Sequence, residues 1–288
     1  MFSIAAGGDT GQAPDKQAHA AVELGAIPPA IIAAASATRD LPIAERLAAV
    51  TQPLLGVPYV SDPMGEGEGY DPDPFQRYDG FDCLTFVEEA LALALAGDPV
   101  HSAQVRGSLR YGGREPSYAH RDHFMELQWI PDAVRNGWIR ETTADYGEVE
   151  RHSAVVTDAT WRGWGRRSRF HLQDAELPTG EMSLNVLPLE RAIEIAEQIR
   201  PGTLLFSVRV ERPGVPIWIT HTGIVIAGEK VTIRHAANFQ SGRMVRDQSL
   251  RWYLEHTREY SNWPTAGVAL FEPVEAGPRR SLVAPTVR

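Results

Sequence analysis

Two periodicities divide the chain: helical and irregular stretches come first, and after Pro201-Gly202 the apolar positions recur every second residue. The most sharply bounded helix is predicted from Asp82 to Ala96. Asp82 is a good N-cap, Glu88 and Glu89 stand in the first half, and Gly97-Asp98-Pro99 ends it. Residues 21–49 predict a helix in two pieces, the second starting at Asp40 or Pro42. Another helix is predicted over 189–199, where Leu189, Ala192, Ile193, Ala196 and Ile199 form one stripe. Alternation predicts strands at 203–210, 218–226, 230–237 and 267–272. Residues 62–78, rich in acidic residues, Gly and Pro, read as loop. The stretch 104–143 is aromatic-rich and mixed, and 144–188 is weakly periodic, as expected of an insertion lying over the core. Helices first and antiparallel strands later spell an α+β fold. The organisation expected is a mobile lead-in (1–20), a single domain (21–275) with a middle insertion around 100–190, and a tail (276–288).

Composition narrows the function classes. The chain is 43% hydrophobic, enough for a sizeable core, and its 28 basic against 37 acidic residues give a net charge of −9. With no global basic field, nucleic acid and anionic membrane surfaces are poor partners. One cysteine excludes an internal disulfide and any zinc site that needs two thiolates. No apolar run approaches the ~18 residues of a transmembrane helix. The first residues lack a basic n-region, so no signal peptide is visible. Oligomeric state leaves no mark in the sequence.

Cys83 directly follows the cap, where aligned peptide dipoles and unpaired N–H groups favour thiolate over thiol. A lone cysteine is also commonly a small buried apolar residue, so a base decides between the two readings. His221 shares a strand face with Ile217, Ile219, Gly223 and Val225, and His235 shares one with Val231, Ile233 and Ala237. A three-residue turn at Ala227-Gly228-Glu229 would pair Ile226 with Lys230 and set the two histidines directly opposite each other. They would then form a base with an orienting partner, or a hydrogen-bonded core pair. Gly223, Ala236 and Ala237 leave room beside them.

Four segments occur in the order found in NlpC-type, papain-like cell-wall hydrolases: Phe81-Asp82-Cys83-Leu84-Thr85-Phe86-Val87-Glu88, Pro201-Gly202-Thr203-Leu204-Leu205-Phe206, His221-Thr222-Gly223-Ile224-Val225 and Arg234-His235-Ala236-Ala237. Gly56-Val57-Pro58-Tyr59-Val60 fits as well. Arg110-Tyr111, Arg121-Asp122-His123-Phe124 and Trp129-Ile130 resemble the longer middle section of the N-acetylmuramoyl-L-alanine amidase-like branch. The resemblance spans roughly residues 41–271. It implies a papain-like fold with the catalytic helix packed on an antiparallel sheet, and Cys83, His221 and His235 as nucleophile, base and orienting residue. The Cys83 N–H and the Tyr59 hydroxyl are the expected oxyanion donors, with Asp82 beside them. The implied substrates are peptidoglycan stem peptides or muropeptides, cut with no cofactor or metal, in the cell envelope, periplasm or outside the cell. The alternatives are a non-catalytic binder of cell-wall peptide and an acyltransferase with the same Cys-His site. One departure stands out: the family often has Pro-Gly-Asp where this chain has Thr203.

Tyr118, His120, Arg121 and His123 form a polar cluster. Arg121 could clamp a substrate carboxylate, or hold the middle section through a salt bridge to Asp122 or Glu126. His120 and His123 have metal-like spacing but no third ligand nearby. The tryptophans 129, 138, 161, 164, 218, 252 and 263 could line a sugar groove, though core anchoring is the simpler reading. The basic patch of Arg162, Arg166, Arg167 and Arg169 reads as a solvated loop more readily than as a contact for an anionic glycan or lipid.

Overall fold

Helices and strands segregate as their periodicities require, with α3 enclosed between a helical layer and an antiparallel sheet. The structure, a computed structural model, describes residues 27–239 and 242–275; the lead-in 1–20 and the tail 276–288 lie outside these. In chain order the elements are α1 (Pro29–Ala37), α2 (Ile43–Thr51), α3 (Cys83–Ala96), α4 (Ser102–Tyr111), α5 (Ile130–Arg135), β1 (Ile139–Glu141), β2 (Glu150–Val156), α6 (Asp158–Gly163), β3 (Gly180–Pro188) and α7 (Leu189–Glu194). There follow β4 (Leu204–Arg209), β5 (Ile219–Ile226), β6 (Thr232–Phe239), β7 (Gly242–Ser249), α8 (Leu250–Arg258) and β8 (Thr265–Pro273).

The sheet runs β2-β3-β8-β4-β5-β6-β7, antiparallel throughout, and β1 also pairs with β8. Alternation divides its faces. Leu204, Phe206, Val208, Ile224, Ala236 and Phe271 join the core built around α3. Leu205, Val225, Ile233, Val268 and Leu270 pack against α7 and α8. From Thr85 to Leu95 every residue of α3 is buried, as suits a helix enclosed on all sides.

The four predicted strands form the centre of the sheet. The 144–188 stretch departs from expectation: it adds β2 and β3 to the sheet and sends Trp161, Trp164, Met182 and Leu184 into the α3 core instead of merely covering it. Strand β7 and helix α8 carry no sequence-based prediction. The former is polar, with Val245 as its buried residue. The 189–199 helix breaks after Glu194 into a 3-10 turn, yet its predicted stripe is buried throughout.

Candidate active site

The site is built on the start of α3. Asp82 adopts an extended backbone and its Oδ1 accepts the Thr85 N–H at 2.8 Å, while Thr85 Oγ1 accepts the Asp82 N–H at 3.1 Å. This reciprocal capping box fixes where the helix begins, and so where Cys83 stands. Two buried ion pairs hold the helix from behind. Arg106 forms a two-pronged contact with Glu89 at 2.6 and 2.9 Å, and Arg110 meets Glu88 at 3.0 Å. Trp129 Nε1 donates to Glu88 at 3.0 Å and the Tyr78 hydroxyl to Glu89 at 2.5 Å.

Residues 56–60 form one side wall. The Gly56 N–H donates to the Val245 carbonyl at 2.8 Å and the Tyr59 N–H to that of Arg243 at 2.9 Å, which extends the sheet beyond β7. On the other side, the Phe81 N–H donates to Pro58 and the Val60 N–H to Phe81, so the segment also runs beside the approach to α3. Tyr59 therefore sits close enough to Cys83 and Asp82 that both, after burial, push its hydroxyl up to about 12. The Arg243 guanidinium lies over its ring at 5.3 Å.

Strand β5 brings the base candidate. Glu126, on a π-turn over Met125–Trp129, is buried and accepts the N–H groups of Trp218 (2.5 Å) and Ile219, which pins the entry to β5. Two residues on stands His221. The register differs from expectation: Ile226 pairs with Thr232, not Lys230, because the connection spans residues 227–231. A slip of two residues preserves the face but moves His235 opposite Gly223, so the histidines are diagonal neighbours. Their rings still meet, His221 Nε2 to His235 Nδ1, at 2.5 Å. A Cβ on Gly223 would lie 2.9 Å from the His235 Cβ, so the glycine allows this approach. His235 Nε2 meets Gln248 Oε1 at 2.7 Å, and the Tyr253 ring packs on both imidazoles, its hydroxyl bonded to Ser207 at 2.6 Å.

Cys83 is half-buried, and its sulfur is close to the backbone of Thr222, the residue after His221. Burial, then Asp82, pushes its thiol up to about 12, against the opposing backbone N–H groups of Thr222, Cys83 and Leu84. Burial drives His221 well below the usual imidazole range and takes His235 to about 4. These directions run against the sequence-based expectation of a thiolate and favour a thiol and a neutral imidazole at rest.

The middle-section cluster is committed internally. Arg121 Nη2 reaches both oxygens of Glu66 at 2.9 Å and Asp71 at 2.7 Å, while Nη1 reaches Asp62 at 3.2 Å. Its partners come from the acidic loop, not from Asp122 or Glu126, and three carboxylates leave it no open edge for a substrate clamp. Tyr118 donates to the Phe170 carbonyl at 2.6 Å, and His123 Nε2 contacts the Tyr118 carbonyl at 2.7 Å. His120 Nδ1 is engaged by the Glu115 carbonyl at 2.8 Å. Among the described residues no group of three or more His, Cys, Asp or Glu is arranged to hold a metal. Trp129, Trp138, Trp161, Trp164 and Trp218 are core residues, whereas Trp252 is exposed. Arg167 of the basic patch bonds Asp174. Thr203 is buried with its hydroxyl unpartnered, a site where a carboxylate would be costly.

Sequence reasoning missed Gln248 and Tyr253. A usable signal existed for the second: Ser249 as cap before Leu250, Tyr253, Leu254 and Thr257 at helical spacing.

An antiparallel sheet with helices on both faces defines a mixed α/β protein, with Cys83 at a capped helix start and a hydrogen-bonded histidine pair on β5 and β6. The chain belongs to the AmiA-like, N-acetylmuramoyl-L-alanine amidase-like family, whose model matches residues 49–260. A solved structure from Legionella pneumophila is similar, with 22% identity, a TM-score of 0.75, and coverage of 88% of this chain and 97% of that one. An N-acetylmuramoyl-L-alanine amidase from Bacteroides uniformis is similar at 21% identity, TM-score 0.62, over 81% of this chain and 99% of its own. Likeness at such identity concerns the fold. No curated protein matches this chain significantly.

Proposed function

We propose that this protein is a cysteine amidase that hydrolyses an amide bond of bacterial peptidoglycan, either the muramoyl–L-alanine bond or one within the stem peptide. The observation that carries the reading is the His221–His235 hydrogen bond on the strand against which the helix start delivers Cys83. Family membership points to the same substrate class. On this reading the helix and sheet form an NlpC-type, papain-like arrangement working in the cell envelope, with no cofactor.

Cys83 attacks the scissile carbonyl while its proton passes to Nδ1 of His221, the ring nitrogen not engaged by His235. The carbon–sulfur bond forms and the carbonyl electrons move to oxygen, where the Cys83 N–H and the Tyr59 hydroxyl are the donors at hand. Collapse of the tetrahedral intermediate breaks the carbon–nitrogen bond, and His221 returns the proton to the leaving amine. Water, deprotonated by His221, then cleaves the thioester.

The test is digestion of purified peptidoglycan with the wild-type protein and with Cys83→Ala, weighing the released fragments by mass spectrometry. New fragments from the wild type alone are expected, and their masses identify the bond. Equal fragments from both proteins, or none from either, would refute the reading.

A further inference from the structure

The hydrogen-bonded chain that ends at His221 starts one residue beyond His235. Gln248 pairs with Ile233 across β6 and β7, so it shares the face of His235, and its Oε1 lies 2.7 Å from His235 Nε2. A neutral imidazole carries one N–H and one lone pair, whereas an amide oxygen can only accept. Facing that oxygen, His235 holds its proton on Nε2 and its lone pair on Nδ1. That lone pair, 2.5 Å from His221 Nε2, requires the proton of His221 to be on Nε2. The lone pair of His221 is then on Nδ1.

We infer that Gln248 is a positioning residue that fixes the tautomers of both histidines, so that His221 offers a lone pair and not an N–H to the Cys83 thiol. The inference rests on the reading of Cys83 and His221 as nucleophile and base. Were the amide nitrogen turned toward His235 instead, every proton would move to the other ring nitrogen. His221 would then present an N–H and could not act as a base. The neighbouring acid on β7, Asp247, does not replace the amide, because its carboxylate is held by both prongs of Arg234 at 2.7 Å. The Tyr253 hydroxyl is likewise engaged, by Ser207.

Tautomers can be read directly from two-bond proton–nitrogen correlations in protein labelled with 15N-histidine. Of the nine histidines, those of interest are assigned by the signals lost in His221→Gln and His235→Gln. Both rings are expected to be protonated on Nε2 in the wild type, and in Gln248→Glu at pH values where its carboxylate is ionised and can only accept. In Gln248→Leu the His235 signal should redistribute between tautomers, and kcat should fall by ~10- to 100-fold with KM unchanged, less than the worth of a whole general base. A wild-type spectrum with His221 protonated on Nδ1 would overturn the inference. So would a Gln248→Leu variant that matches the wild type in spectrum and kcat. If Gln248→Leu does not fold, the wild-type and Gln248→Glu spectra decide. The spectra need no substrate, so a protein inactive on peptidoglycan would count against the amidase reading and leave this inference to the spectra.

Discussion

At Cys83 two local effects compete, and their sizes decide. A helix start favours an anion by ~0.3–1 kcal/mol, up to ~2 in partly buried geometry, which is little more than one pKa unit. Burial can shift a group by ~3–5 units. Helix position is legible in sequence, whereas burial and the proximity of Asp82 are properties of the assembled site, so the thiolate expectation took the smaller effect for the larger. A thiol raised to about 12 is protonated at neutral pH, and His221, driven far down, holds no positive charge to stabilise a thiolate. Iodoacetamide should therefore alkylate Cys83 in the resting protein more slowly than free cysteine at about pH 7. The rate should climb about tenfold per pH unit as the thiolate fraction grows. Alkylation at neutral pH as fast as that of free cysteine would instead reveal a preformed thiolate–imidazolium pair.

Among the elements, the β5–β6 hairpin shows what a sequence can and cannot specify. Period-two alternation put both histidines on one face, and their rings do meet, but an irregularity at Thr220 sends Ile219 to the α3 side, away from Val225; loop length, which no alternation encodes, moved the register by two residues. The ring contact survives because diagonal neighbours across strands remain within reach of aromatic side chains. The helix from Cys83 to Ala96 was legible down to its caps, since Asp82 and Gly97 carry local signals. Strand β7 was not, because one buried residue in eight leaves almost no apolar pattern. The close approach at Gly223 is directly testable. A Cβ there would stand 2.8 Å from Ile233 Cγ1 and 2.9 Å from the His235 Cβ. Gly223→Ala should cost about 1–3 kcal/mol by overpacking and, by displacing His235, lower kcat in the protein that still folds. An unchanged kcat would mean that the β6 backbone is free to shift without disturbing the histidines. The acidic loop is the second case. Arg121 draws Glu66, Asp71 and Asp62 together, and the Asp62 N–H donates to Asp82 Oδ2 at 3.3 Å, which links the loop to the helix cap. Lysine cannot reproduce the guanidinium fork, so Arg121→Lys should lose about 1–3 kcal/mol in denaturant unfolding, with KM nearly unchanged. A raised KM at full stability would restore the clamp.

Across the whole molecule, charge is buried behind α3, and this ties stability to pH. Asp122 donates its backbone N–H to Arg110, the partner of Glu88, and shares Arg114 with Asp132. Its Oδ2 has no partner, and burial, then Asp132, raises its carboxyl to about 7 despite Arg114. The folded pKa thus exceeds the ordinary carboxylate value of 3.8. Between these values the native state holds a proton that the unfolded chain has lost, so this group makes the protein less stable as pH rises across the window, with the full penalty above about pH 7. His123 and His235, each lowered to about 4, act in the opposite sense. Buried neutral, they bind fewer protons than the unfolded chain up to about pH 6.5, so their share of stability grows with pH. A single melting profile mixes the two slopes, but a difference between variants separates them, because the histidines are common to both. Asp122→Asn keeps the shape, cannot ionise and leaves Arg114 on Asp132. Its melting temperature should equal that of the wild type near about pH 4 and exceed it increasingly up to about pH 7. The gain should then stay constant at about 2–4 °C for each kcal/mol in a chain of this size. A variant that melts below the wild type at about pH 8 would show that the Arg114 contact outweighs the burial of the carboxylate.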